Sequence, residues 1–306
     1  MITDKFKTVT ISSKEELNKF LNDYKSISCE MCFGNLFSWG GTERTEYYID
    51  SIDNLEEVLY IRSVLCGKPK YYFPVSKNPQ NSKLKSKSIE NLINFDKNIK
   101  FINLVKEQAE FLTQYFNFEI TERRDRSEYI YEAEKLRTFY GKKLHGKKNH
   151  LNKFYSLYND RYTFEKINKN NLCECLELSW KWRNININGH GSDADSMLEE
   201  FYIVRNFVDY YDKLDLLGGC IKIDGKIKAF TIGEPAFKGS DCIIIHVEKA
   251  EYDEIDGIYP AICSMFLNAY PEFDFVNRED DLGDDGLRQS KLSYRPLYLI
   301  DRFETV

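Results

Sequence analysis

No stretch of this 306-residue chain approaches the roughly 20 consecutive apolar residues that a bilayer-crossing helix needs. Its first residues, Met1 to Ser13, include an acid and have no apolar core of a secretory leader, so a cytoplasmic location is expected. A paired-cysteine metal framework is missing too. Eight cysteines are present, but Cys29 and Cys32 form a lone Cys-x-x-Cys, Cys173 and Cys175 stand two apart, and the rest are scattered. A structural zinc site needs four well-placed ligands, so these thiols read as buried and no metal is expected. Cys242 and Cys263, inside apolar runs, fit that reading. The net charge of -6 argues against a protein that coats nucleic acid at large, yet leaves room for a local basic groove.

What the chain does contain is enough apolar and aromatic material for two cores. Its length suits two domains of about 150 residues each. In the first half, Ser13-x-x-Glu16 has the form of a capping box, followed by Leu17, Phe20, Leu21 and Tyr24 at helical spacing. Three strand-like runs follow, near Glu46 to Asp50, Val58 to Leu65 and Lys70 to Val75, then helical patterns over Ser88 to Phe95 and Lys106 to Phe116 around a short strand at Phe101 to Val105. Phe118 to Ile130 reads as extended chain broken by a charged turn at Arg123 to Arg126.

The second half has a strand at Tyr162 to Ile167, helices at Asn171 to Arg183 and Ser196 to Tyr211, and a turn-like Asn188 to Asp193 that holds His190. Asp224-Gly225 between two alternating runs is the strongest hairpin signal in the sequence. Strand, helix, strand, helix and strand then follow at Asp241 to Glu248, Gly257 to Ala269, Phe273 to Asn277, Gly286 to Leu292 and Leu297 to Phe303. This order predicts an α/β class (α+β, mixed sheet) and resembles the GNAT acyltransferase fold, present twice. The expected division is residues 1–134, a basic helical linker over 135–159, and residues 160–306.

That linker, Lys135 to Asn159, carries seven Lys or Arg and no acid. It is either a solvated helix face over buried Leu151, Phe154, Tyr155 and Tyr158, or a phosphate dock in which Lys142, Lys143, Lys147 and Lys148 meet a nucleic-acid backbone. Near the carboxyl terminus, the apolar strand Phe273 to Val276 runs into Asn277, Arg278, Glu279 and Asp280. Strand ends of this kind are where open α/β sheets place ligand sites.

Acyl transfer needs a base for the acceptor, donors for a developing oxyanion, and exclusion of water. Asp280, Glu279, Lys291 and Tyr294 are the candidate catalytic residues; Asn277, Arg278, Arg288, His246 and Glu248 are candidates for holding substrate. Glu279 and Asp280 suit an α-ammonium, Arg278 or Lys291 a carbonyl oxygen or phosphate. The competing reading is a structural ion network that ties the last helix to the sheet. Users of acyl-CoA in this fold keep bare backbone amides at a helix N-terminus for the pyrophosphate. The corresponding turn here reads Glu254-Ile255-Asp256-Gly257, whose carboxylates disfavour acyl-CoA, so no cofactor is expected.

The run Val276-Asn-Arg-Glu-Asp-Asp-Leu-Gly, with Gly286-Leu-Arg and Lys291-Leu-Ser-Tyr-Arg-Pro, resembles the signature of the C-terminal domain of phosphatidylglycerol lysyltransferases and their soluble relatives. Leu144-His-Gly-Lys-Lys-Asn and the early Cys29-Glu30-x-x-Phe33-x-Asn35-Leu36-x-x-Trp39 extend the likeness over nearly the whole chain. The resemblance implies tandem GNAT-like domains, an aminoacyl-tRNA donor and a lipid acceptor. Without a membrane domain in this sequence the acceptor widens to a small molecule, peptide or lipid, with peripheral membrane contact left open. The alternatives are an acyl-CoA-dependent N-acyltransferase and a non-catalytic ligand-binding module.

Overall fold

The computed structural model describes residues 5–39, 44–52, 56–190 and 193–306, and divides the chain into two compact units. The first comprises residues 1–128, 280–283 and 300–306; the second comprises residues 129–279 and 284–299. The expected cuts at 134 and 160 differ from this division. The linker segment lies within the second unit, because Leu136, Leu144, Leu151 and Phe154 are core residues there. The last residues of the chain return to the first unit.

The first unit contains β1 (Lys7–Thr8), α1 (Lys14–Tyr24), α2 (Phe33–Ser38), β2 (Arg44–Ile52), β3 (Glu56–Leu65), β4 (Lys68–Tyr71), β5 (Val75–Ser76), α3 (Ser82–Phe95), α4 (Lys106–Phe116) and β6 (Ile120–Glu122). Among the described residues, β1-β2-β3-β4 form an antiparallel sheet with β5 also on β3, which is the expected meander. Tyr60, Tyr71, Phe101, Ile89, Leu92 and Leu112 fill its core. The Ser13–Glu16 capping box does not form. Ser13 instead closes a box with Thr10 around a preceding 3-10 turn. Phe101 to Val105 makes only isolated bridges, from Phe101 to Tyr71 and from Leu104 to Phe303.

A buried ion pair closes this unit. Glu128 and Arg302 are 1% and 2% exposed, and the Arg302 guanidinium donates to Glu128, Ser28 and the Asn103 carbonyl. Glu128 also accepts from Ser28 Oγ at 2.9 Å and from the Cys29 amide at 2.8 Å. Donors thus reach both carboxylate oxygens, as a buried charge requires.

The second unit runs β7 (Glu128–Glu132), α5 (Ala133–Thr138), α6 (His145–Tyr158), β8 (Tyr162–Lys166), α7 (Leu172–His190), α8 (Ala194–Asp209), α9 (Tyr211–Leu214), β9 (Leu217–Ile223), β10 (Lys226–Pro235), β11 (Cys242–Ala250), α10 (Ile258–Ala269), β12 (Phe275–Asn277), α11 (Asp285–Ser293) and β13 (Tyr298–Ile300). The expected closing strand over Leu297 to Phe303 is two strands, β13 and then β14 (Phe303–Thr305), the latter pairing with β6 in the first unit. The turn-like Asn188 to His190 is the last part of α7, since its pattern continues the helix; Gly191 and Ser192 lie outside the described residues.

The sheet order is β13-β7-β12-β11-β10-β9-β8, with β11 and β12 parallel and the other named pairs antiparallel. The hairpin turn at Asp224-Gly225 forms as expected, both residues at positive φ. Helices cover both faces. Phe266 of α10 lies over Gly219, while neighbouring Cys220 meets Cys175 of α7 on the other side.

Replacing Arg302 with Leu leaves Glu128 buried without its counter-charge, at a cost of about 3–5 kcal/mol. Urea unfolding measures this, and a loss under about 1 kcal/mol contradicts the account.

Candidate functional site

The site is built where two parallel strands part. β11 and β12 are in register from Cys242↔Phe275 to Ile244↔Asn277, and the ladder ends there. The buried Asn277 side chain accepts the Glu279 amide at 2.8 Å, holding Glu279 at φ 56, a conformation rare outside glycine and asparagine. Tyr129 continues the pairing with β7, exchanging backbone bonds with Arg278 and Glu279. The two side chains leave on opposite faces of the sheet.

On the α10 face, Arg278 Nη2 reaches Glu248 of β11 at 2.7 Å, spanning the opening of the ladder. Burial opposes its charge, but Glu248 together with the Cys263, Tyr294 and Tyr131 side chains outweighs that and keeps the guanidinium protonated. Tyr294 lies 4.6 Å beneath the guanidinium and is 3% exposed. Burial holds its phenol neutral, well above the usual range, with Arg278 only partly offsetting that effect. Lys291, one turn earlier, donates its Nζ to the Arg278 carbonyl, and its own carbonyl accepts from Tyr131 at 2.8 Å.

The α8 face carries the acidic half. β11 slips by one residue against β10 between Ile232 and Gly233, and His246 is the extra residue of this bulge. Gly233 permits the close approach, since a Cβ there would stand 2.2 Å from the Ile244 carbonyl oxygen. His246 meets Glu279 at 2.9 Å through Nδ1 and Glu234 at 3.1 Å through Nε2, and stacks on Phe207 of α8 with ring centroids 4.8 Å apart. Burial alone would neutralise the ring, but the two carboxylates raise its pKa to about 9. At neutral pH the ring is therefore held as an imidazolium between the two side chains.

The remaining sequence candidates do not join one network. Asp280 belongs to the first unit, where Arg126 lies 3.5 Å away. Arg288 pairs with Asp285 at 3.7 Å on its own helix. Lys142 and Lys143 are exposed and Lys148 partly so, but Lys147 turns inward, its Nζ 3.9 Å from the Tyr294 ring centre. Burial, reinforced by Arg278, lowers its pKa to about 8.

Sequence reasoning missed Glu234, which no motif marks, and the inward turn of Lys147. It named Glu30 only within a motif. In the first unit that carboxyl accepts from Tyr72 at 3.2 Å, and burial, then Glu128, raises its pKa to about 7.

At the pyrophosphate turn, Asp256 is held by Lys153 at 2.5 Å and His150 at 2.9 Å. α6 lies directly over the start of α10, since a Cβ on Gly257 would stand 2.1 Å from the His150 carbonyl oxygen. The start of α10 is thus packed against α6.

A mixed sheet parted between parallel strands, with a second compact α/β unit, is the architecture of tandem GNAT-like acyltransferases. A tandem GNAT protein from the clavulanic acid biosynthesis pathway shares it in fold (TM-score 0.51, 8% identity, 99% of this chain and 98% of that one). Residues 21–304 match the family described as phosphatidylglycerol lysyltransferase, C-terminal, and the chain belongs to that family. A conserved protein of unknown function from Bacteroides thetaiotaomicron is 30% identical, with TM-score 0.86 over 98% of each chain. L-PGS from Bacillus licheniformis is similar in fold, with TM-score 0.63, 16% identity, and 95% and 91% of the two chains covered. An uncharacterised protein of Mycoplasmoides gallisepticum is 29% identical over 180 residues, 57% of this chain and about half (54%) of that relative's length. Family and fold together class the chain with the acyltransferases. No helix of the described residues is long and apolar enough to cross a membrane.

Because His246 is protonated more tightly folded than unfolded, its stabilisation is full below the unfolded pKa near 6.5 and is lost as pH rises through about 9. The stability gap between the native protein and His246→Gln, measured by denaturant titration, is therefore expected to be largest at pH 6 and to close by pH 10. A gap that instead widens from pH 6 to 8 contradicts the assignment.

Proposed function

We propose that the chain is an aminoacyltransferase, taking an aminoacyl group from aminoacyl-tRNA and passing it to a small-molecule, peptide or lipid acceptor. The observation that carries this reading is the covered turn at Asp256 and Gly257, which denies acyl-CoA its usual phosphate cradle. A donor of this fold must then be anchored elsewhere. Family membership supports an aminoacyl donor, whose α-amino group distinguishes it from a plain acyl ester.

In this reading the acceptor's nucleophile attacks the ester carbonyl, the bond to the ribose oxygen breaks, and a base carries the nucleophile's proton to the departing ribose oxygen, which leaves as a hydroxyl. Of the expected catalytic residues, Lys291 and Tyr294 lie beside Arg278 on one face of the second unit's sheet and are the proposed pair, whereas Glu279 lies on the other face and Asp280 in the first unit. Asn277 and Arg278 fix the turn that presents Glu279, and Lys142, Lys143 and Lys148 offer phosphate contacts at the exposed start of α6. Lys147, turned inward, leaves that set.

Purified protein offered charged transfer RNAs with lipid and peptide acceptors is expected to release free tRNA and label an acceptor, while acetyl-CoA gives neither heat of binding nor product. Turnover of acetyl-CoA, with every charged tRNA inert, would overturn the proposal. Lys142→Glu with Lys143→Glu is expected to weaken tRNA binding and reduce its salt slope by about one per lysine, read by filter binding. An unchanged slope removes the docking surface.

A further inference from the structure

Lys147 was expected on an open surface and is found half-buried against the second unit's core. Its ammonium rests on the Tyr294 ring at 3.9 Å, and Arg278 stacks against the same ring at 4.6 Å. The groups facing it are Arg278, Glu248, the Cys263 thiol and the Tyr294 phenol. Burial keeps both thiol and phenol neutral, the thiol near a pKa of about 12. The pocket therefore holds two cations against the one carboxylate of Glu248. Arg278 spends Nη2 on that carboxylate, while its Nη1 is buried and makes no hydrogen bond. A shielded guanidinium N–H without an acceptor is costly, and such exceptions call for an explanation.

We propose that Lys147 and Arg278 form a subsite for a small oxyanion, a phosphate or a carboxylate, seated over the Tyr294 ring at the opening between β11 and β12. The anion would accept from Arg278 Nη1 and Lys147 Nζ and restore charge balance against Glu248. It differs from the closed pyrophosphate cradle at the start of α10, because its donors are side chains rather than helix amides. The subsite stands whether or not aminoacyl-tRNA is the donor, since it rests on charge and unmet hydrogen bonding within one unit. Burial first, then the neighbouring Arg278, depresses the lysine pKa to about 8, and a bound anion would raise it.

Competitive labelling of the full chain with an amine-reactive ester at pH 8, read by peptide mass spectrometry, tests this without any assumption about turnover. About half of the Lys147 amines are neutral at that pH, against under about 1% for an ordinary lysine. Lys147 is expected to label at least about tenfold faster than the exposed Lys142 and Lys143. Inorganic phosphate or acetate, compared with chloride at equal ionic strength, is expected to slow Lys147 at least threefold and leave the exposed pair unchanged. The more protective of the two anions identifies the class of ligand. In parallel, the protecting anion is expected to raise the melting temperature of the native protein more than that of Lys147→Met. Ordinary labelling of Lys147 overturns the proposal, as does fast labelling that neither anion slows, or an equal thermal shift in the variant.

Discussion

The ion pair between Arg278 and Glu248 is the constraint on which the rest of the second unit's polar end depends. Two parallel strands lose their ladder after Ile244 and Asn277, and strand ends left apart expose unpaired backbone. A side-chain bridge of 2.7 Å spans the opening instead. With both partners close to nine-tenths buried, the pair is worth little against an apolar substitute but a great deal against the loss of one partner. It fixes where the strands diverge, and so where a ligand can enter the sheet.

Strand alternation then sorts the chemistry. Arg278 faces the side of α6, α10 and α11, where Lys147 and Tyr294 gather, and Glu279 faces α8, where Glu234 and His246 wait. The bulge at His246 has the same effect on β11, so that His246 and Glu248, two residues apart, serve opposite faces. One sheet end thus carries the Arg278–Lys147–Tyr294 cluster on one face and the Glu234–His246–Glu279 triad on the other.

Much of this was legible in the residues. Period-two runs around Asp224-Gly225 pointed to the hairpin, and the apolar strand ending in Asn277-Arg278-Glu279 is the strand end where β11 and β12 part. The packing of α6 against Gly257 at the start of α10 could not be read from the sequence. The missed features are tertiary. The Ser13 box lost to the neighbouring Thr10 turn by one local competition among hydroxyls. Lys147 is written like its neighbours Lys142, Lys143 and Lys148, and only the helical phase of α6 against Tyr294 sets it apart. Glu234 sits at the end of a hydrophobic strand with no motif, and its partner across the bulge is visible only once the register is known.

A double-mutant cycle on Arg278 and Glu248 tests the central claim most directly. With Arg278→Met, Glu248→Gln and the double variant compared by equilibrium unfolding, a coupling energy above about 1 kcal/mol is predicted, as expected for residues that share one buried bridge. A coupling indistinguishable from zero, with each single change costing under about 0.5 kcal/mol, would show that the strand opening is held by something else and would contradict the account.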